Sequence, residues 1–314
     1  KVLGGCSSIN ANIHMRGPKE DYDEWDRILG GNSGWSADEI WKYFEKCPIP
    51  AYQPTPSDVH DINRQVVQSL HKFFNIPIKN VFTGKEHTPS VGYNDRTVLN
   101  GVRASSSEIY LTPEVVKRPN LHIKTEAFVT KVLFDNNAKG DQKRVSGVRV
   151  DFKRGKTVQT VELKARKEVI LAAGAVQTPQ LLLVSGVGDA KILQKHNIPV
   201  VVENDQVGQN LQDHYIVGIM LAINQKTSLH ILDENPLELL SAVGQWLLRR
   251  TGLLASNGAE LNGLFHSNIA KQKAEQLPDF QFVGMAGLYD EHSLISHPGL
   301  HGFSIGNVLL ISCQ

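Results

Sequence analysis

Residues 168–188 read EVILAAGAVQTPQLLLVSGVG. The run 169–173 is apolar without alternation, which is typical of a strand buried on both faces of a parallel sheet. A glycine ends this run, and residues 177–184 suit a helix, with Thr178 as N-cap and Pro179 at the first helical position. Such a unit predicts an α/β fold in which a helix N-terminus can lie beside a ligand. An ordinary strand and helix with good caps explains the same residues.

The pattern on either side of this stretch is also mixed. Alternating apolar residues between turn signals predict a hairpin ladder, whereas apolar residues at helical spacing predict amphipathic helices. Ser36 with Glu39 three residues later has the spacing of a capping box. We predict helices at 20–29, 36–44, 63–74, 191–196 and 237–248, and strands at 121–124, 128–134, 145–152, 158–163, 198–202, 280–283 and 303–311.

The first thirteen residues, KVLGGCSSINANI, form a second notable stretch. Gly4 and Gly5 permit positive φ angles and close approach of a ligand to the backbone. Consecutive N–H groups with the hydroxyl of Ser7 can form an anion-binding nest, and Asn10 can hydrogen-bond the edge of a heterocycle. A tight surface turn that leads into a helix is the alternative.

Composition excludes several classes of function. The 314 residues carry a net charge of +1, which argues against nucleic acid as a partner. No apolar run approaches the 18 or so residues of a membrane span, so we expect no membrane segment in this stretch. The three cysteines lack the spacing of a disulfide framework or a metal site, and we expect no metal.

The remaining candidate groups for catalysis are weak. The sequence has no Gly-x-Ser-x-Gly motif, which disfavours a serine hydrolase. The histidines beside candidate loops have neither metal spacing nor an evident partner in the sequence. They are His14, His214, His297 and His301.

Taken together, the two stretches resemble the signatures of the glucose–methanol–choline (GMC) family of flavin oxidoreductases. Residues 1–10 match the first signature, with Cys6 where Ser, Thr or Gly is usual, and residues 174–188 match the second. Four other blocks are similar to the family as well. They are 16–25, 103–113, 207–214 and 253–257.

The resemblance implies an FAD enzyme that oxidises a small-molecule alcohol to an aldehyde or ketone by hydride transfer to the flavin. Oxygen or another electron acceptor then reoxidises the flavin. By family position, the backbone of residues 2–5 and 10–13 lies along the flavin, and Val129 holds the adenine through its main chain. The expected cofactor-binding residues are Val2, Gly5, Ser7, Asn10, Ala11, Asn12, Ile13 and Val129.

The family also implies two domains. An incomplete, doubly wound FAD-binding domain is expected from 1–50 and 120–215, and a substrate domain with an antiparallel sheet and helices from 51–119 and 216–314. The resulting class is α/β, or α+β for the chain as a whole.

Two family features are missing from the 314 residues. No Gly-x-Gly-x-x-Gly turn for the pyrophosphate occurs, and the family's catalytic histidine is expected beyond Gln314. We therefore expect an internal fragment that is inactive alone. A GMC hydroxynitrile lyase and a truncated product without activity are the alternative functions, and neither the substrate nor the compartment follows from the sequence.

Overall fold

The computed structural model describes residues 1–79, 82–135, 143–272, 277–288 and 300–310, apart from the side chain of Arg154. The chain divides into two compact units, Lys1–Lys117 with His214–Gln314, and Arg118–Asp213. Among the described residues, no helix has the combination of length and apolar character needed to cross a membrane.

The described residues contain both helices and strands. The helices are α1 (Lys19–Ile28), α2 (Ala37–Lys46), α3 (Asp61–Phe74), α4 (Ser106–Tyr110), α5 (Pro113–Val116), α6 (Gly174–Val184), α7 (Ala190–Lys195), α8 (Ile231–Glu234), α9 (Pro236–Arg249) and α10 (Asn268–Gln272). The strands are β1 (Ile13–His14), β2 (Ile78–Lys79), β3 (Ser90–Tyr93), β4 (Asp95–Arg96), β5 (Val98–Leu99), β6 (Val102–Arg103), β7 (Ala127–Phe134), β8 (Val145–Arg154), β9 (Thr157–Lys164), β10 (Val187–Gly188), β11 (Val202–Glu203), β12 (Ile216–Ala222), β13 (Leu261–Phe265), β14 (Phe280–Met285) and β15 (Gly302–Leu309).

The first unit is built on a six-stranded sheet in the order β12-β15-β14-β13-β3-β2. Its strands pair antiparallel except β2 and β3, which run parallel. Apolar residues of α3 pack against one face of the sheet, where burial of their side chains stabilises the unit. The core cluster consists of Ile62, Val67, Val91, Leu261, Ala286 and Phe303.

The second unit contains the antiparallel sheet β7-β8-β9, which confirms the predicted hairpin ladder. Helix α6 packs against β7. The buried Ser185 hydroxyl accepts a hydrogen bond from the Val132 N–H at 2.8 Å and donates to the Leu181 carbonyl at 2.6 Å. This side chain therefore joins the end of the helix to the sheet.

The stretch 168–188 folds differently from the prediction. Residues 169–173 form no strand, and Ile170 is 81% exposed. Helix α6 begins at Gly174 rather than near Thr178, whose hydroxyl oxygen accepts a hydrogen bond from the Ala173 N–H at 3.0 Å. A continuous apolar strand of this type forms within a parallel sheet that is covered on both faces. No described residue pairs with 169–173 in a sheet.

Three other local predictions were wrong. Residues 121–124 form no strand, and the strand at 198–202 is reduced to β11. Helix α2 forms as predicted, but Ser36 makes no side-chain capping bond, and the Glu39 N–H donates to the Ser36 carbonyl at 3.1 Å. The mixed α/β class is confirmed, and parallel pairing in the described ranges is limited to β2–β3 and β10–β11.

Candidate functional site

The glycine pair near the N-terminus forms a tight turn. Gly4 has a φ of 85° and Gly5 a φ of 56°, followed by a 3₁₀ turn over Gly5–Ser8. A Cβ atom on Gly4 would lie 2.4 Å from the Ser8 hydroxyl and 2.8 Å from the Ser107 hydroxyl. Glycine is required here for both its conformation and its size.

The serine hydroxyls of this turn bind within the protein. Ser7 donates to the Gly4 carbonyl at 2.6 Å and accepts from the Ser106 N–H at 2.9 Å. Ser8 donates to the Leu3 carbonyl at 2.7 Å. The turn is thereby fixed to the first residues of α4.

The next part of the loop is held by Arg103 at the end of β6. Its Nη1 donates to the Ser7 carbonyl at 3.2 Å, to Asn10 Oδ1 at 2.9 Å and to Asn12 Oδ1 at 2.7 Å. Asn10 Oδ1 also accepts the Asn12 N–H at 3.1 Å, and Asn12 Oδ1 accepts the Thr97 hydroxyl at 3.1 Å. Sequence reasoning missed this role of Arg103, because nothing in its local pattern indicates contacts more than 90 residues away.

Several residues of the loop are accessible. Val2 is 53% and Ile9 76% exposed, and the small residues Gly5 and Ala11 are exposed as well. The Ala11 carbonyl accepts a hydrogen bond from Asn257 Nδ2 at 2.7 Å. The exposed part of the loop therefore consists largely of small and apolar residues. We call residues 2–13 the glycine loop.

The glycine loop continues into a buried scaffold. In β1, Ile13 pairs with Arg96 of β4 and His14 pairs with Asp95. Burial lowers the pKa of His14, and the charge of Arg16 adds to this effect. A neutral imidazole is therefore favoured at the end of the loop.

Arg96 of β4 forms a buried ion pair that the sequence did not reveal. Arg96 and Glu260 are both 0% exposed, with Arg96 Nη2 3.9 Å from Glu260 Oε1. Glu260 Oε2 accepts from the His60 N–H at 2.7 Å and from Asn63 Nδ2 at 2.6 Å. These bonds join β4 and α3 to the residue preceding β13, and so give the glycine loop a rigid support.

Val129, the expected adenine contact, belongs to the second unit. It pairs with Val150 in the β7–β8 ladder, and a register shift follows it between Val129 and Lys131. The other seven expected cofactor residues belong to the first unit and lie together in the glycine loop.

The candidate histidines have separate environments. His301 is buried, with Nδ1 2.8 Å from the Ser228 hydroxyl and Nε2 3.2 Å from a carboxylate oxygen of Glu234. The structure thus supplies His301 with two partners that its sequence pattern did not indicate. His214 lines a cavity of about 310 Å³, and His297 lies outside the described residues. No cluster suited to a metal ion occurs among the described residues.

Comparison with known proteins identifies the family. The model of the family described as GMC oxidoreductase matches residues 1–216. This chain belongs to the GMC oxidoreductase family. The match contains the glycine loop and the stretch 168–188, so the resemblance found in the sequence is confirmed.

Several GMC relatives are similar over most of this chain. An alcohol dehydrogenase [acceptor] of Pseudomonas putida is 35% identical over 303 residues, covering 93% of this chain and 52% of the relative. An oxygen-dependent choline dehydrogenase of Staphylococcus epidermidis is 35% identical over 323 residues, covering 97% of this chain and 53% of the relative. The chain thus spans about half the length of these curated relatives.

A solved structure of formate oxidase has the same fold. It superimposes with a TM-score of 0.80 at 21% identity, covering 98% of this chain and 58% of that chain. The fold described above is therefore shared with that structure over nearly the whole of this chain.

Family membership implies FAD as the cofactor, and the glycine loop fits its flavin ring. A side chain built on Gly5 would meet no atom within 4 Å, so the space above this residue is open. Asn257 Oδ1 is buried and has no hydrogen-bond partner, although its Nδ2 holds the loop. The loop thus offers open space at Gly5, exposed apolar residues and the unpaired Asn257 Oδ1. These features suit a flat aromatic ring with polar edges.

Proposed function

We propose that the protein is an FAD-dependent oxidoreductase that converts an alcohol to an aldehyde or ketone. The observation that carries this proposal is the glycine loop, which is fixed by Arg103 and Ser106 while Val2 and Ile9 remain exposed. A rigid loop of this kind can orient a flavin ring at low entropic cost.

The proposed cofactor residues act mainly through shape and backbone groups. Gly5 and Ala11 leave room for the ring, Val2 and Ile13 supply apolar contact, and Asn10 supplies a polar group. Ser7 and Asn12 hold the loop in place. In the second unit, we propose that the main chain of Val129 contacts the adenine, since the register shift after Val129 interrupts regular strand pairing there.

The bound FAD would accept a hydride from the alcohol carbon. The reaction also needs a base for the hydroxyl proton, and we assign no residue within 1–314 to that role. His301 is not suited to it, because both ring nitrogens already have protein partners.

The substrate class we propose is small alcohols, as the names of the two curated relatives suggest. The relatives described above are dehydrogenases and oxidases, and no observation favours a hydroxynitrile lyase.

We further propose that 1–50 and 120–215 form the FAD-binding domain and that 51–119 and 216–314 form the substrate domain. The compact unit Arg118–Asp213 supports the boundaries near 120 and 215, whereas residues 1–50 belong to the same compact unit as 51–117. The six-stranded sheet, formed from segments on both sides of this unit, supports a discontinuous substrate domain.

The test uses protein expressed from its complete reading frame and loaded with FAD. Choline, ethanol and benzyl alcohol are added separately without oxygen while the flavin absorbance near 450 nm is recorded. Bleaching by at least one alcohol, with formation of the matching carbonyl product, supports the proposal. Stable absorbance with every alcohol, although FAD is bound, contradicts it.

A further inference from the structure

Arg103 makes an unusual set of contacts with the glycine loop. A single nitrogen, Nη1, lies within 3.2 Å of one carbonyl and two side-chain amide oxygens, those of Ser7, Asn10 and Asn12. Hydrogen bonds from a charged donor are stronger than those between neutral groups. This guanidinium therefore determines how both amides are oriented.

The orientation decides which atom of Asn10 remains for a ligand. Asn10 Oδ1 already accepts two hydrogen bonds, from Arg103 Nη1 and from the Asn12 N–H. Because an amide carries its donor and acceptor on opposite sides, fixing Oδ1 against Arg103 turns the Nδ2 group away from it. Asn10 is half-buried rather than fully enclosed, so this N–H group can reach a ligand.

We propose that Arg103 is a positioning residue that makes Asn10 a hydrogen-bond donor toward the flavin ring. This inference rests on the proposed function and adds to it, because it assigns a direction to the hydrogen bond and a cause for that direction. The flavin ring carries nitrogen and oxygen acceptors along its polar edge, so a fixed donor recognises it. Arg103 itself contacts the loop and not the ring.

Two substitutions separate this role from simple support of the loop. Asn10→Asp keeps an oxygen for Arg103 but replaces the Nδ2 donor by a second acceptor. Arg103→Met removes the charged donor and leaves an apolar side chain of similar length. Arg103→Lys restores the charge, and Arg27→Met is the matched control, since Arg27 forms an exposed pair with Glu24.

The experiment titrates each purified variant with FAD and records both quenching of flavin fluorescence and the shape of the band near 450 nm. Thermal unfolding without FAD is measured in parallel. We expect Asn10→Asp to unfold at the wild-type temperature and to raise the FAD dissociation constant about tenfold, the effect of losing one hydrogen bond to a ligand. Arg103→Met should raise it by a similar factor, with partial recovery in Arg103→Lys and none of these effects in Arg27→Met.

The results distinguish this inference from the proposed function. Wild-type affinity and an unchanged flavin band in Asn10→Asp would overturn the inference, even if Arg103→Met lost affinity. If Arg103→Met fails to fold, Arg103→Gln takes its place, and wild-type affinity with an unchanged flavin band in Arg103→Gln would overturn the positioning role of Arg103. Absence of saturable FAD binding by the wild-type protein would contradict the proposed function, and the inference with it.

Discussion

Asp95 is a buried carboxyl in β4, the strand that pairs with the end of the glycine loop. The residue is 1% exposed, and its Oδ1 atom has no hydrogen-bond partner. Burial raises the pKa of this carboxyl from 3.8 to about 6, with a smaller opposing effect from its bond to the Thr83 hydroxyl. At neutral pH the fold must therefore accommodate a charge that burial disfavours.

We expect Asp95→Asn to be more stable than the wild-type protein at pH 7.5. Between the unfolded pKa of 3.8 and the folded pKa of about 6, the native state binds more protons, so wild-type stability falls as pH rises through this window. The advantage of the variant is at most about 3 kcal/mol above pH 6 and disappears near pH 4. Urea unfolding at both pH values tests this, with the exposed Asp205→Asn as control. An equal advantage at both pH values would contradict the account.

A second prediction at this scale concerns Gly4. Its φ of 85° and the Ser8 and Ser107 hydroxyls leave no room for a Cβ atom. Gly34 has the same φ of 85°, but a Cβ atom there would meet no other atom within 4 Å, so it shares only the conformational cost. Gly4→Ala should cost about 1–3 kcal/mol more than Gly34→Ala, the typical cost of overpacking. Similar unfolding midpoints for the two variants would show that the turn tolerates a side chain.

At the scale of elements, the buried contacts of β4 and α3 determine where the glycine loop lies. Glu260→Ala leaves Arg96 as a buried charge without its partner and removes the acceptor of the His60 N–H and Asn63 Nδ2. We expect this substitution to cost about 3–5 kcal/mol. Glu162→Ala, which breaks the exposed pair with Arg149, should cost under about 1 kcal/mol. Denaturant unfolding measures both, and equal effects would rule out a structural role for the buried pair.

The elements also show what the sequence can and cannot predict. Helix α3 and the ladder β7-β8-β9 follow from local periodicity, because each buries its own apolar face against near neighbours. The glycine loop was found from its composition, since Gly4 and Gly5 require positive φ angles. The absence of a strand at 169–173 could not be predicted, because strand formation there depends on neighbouring strands as well as on these residues. Arg103, Arg96 and Glu260 were missed because their partners are distant in the sequence.

At the scale of the whole molecule, one edge of the six-stranded sheet is open. All residues of β12 are exposed, and in the described part of the chain this strand pairs only with β15. An apolar edge strand with unpaired backbone groups favours association between copies.

Ile219→Lys should therefore reduce self-association at tens of micromolar protein, because a charged lysine on an edge strand disfavours pairing. Light scattering after size-exclusion chromatography gives the mass of each species. Gln225→Lys adds the same charge at an exposed position beyond the strand and serves as control. A wild-type protein that is already monomeric, or equal masses for all three proteins, would contradict this prediction.

The central claim is that the glycine loop, residues 2–13, receives the flavin ring of FAD. Hydrogen–deuterium exchange of the wild-type protein, with and without saturating FAD, tests it most directly because it reports the location of binding. We expect the largest protection in peptides that contain residues 2–13, and little change in α9, which contains none of the proposed cofactor residues. Saturable FAD binding with no change in exchange over residues 2–13 would contradict the claim.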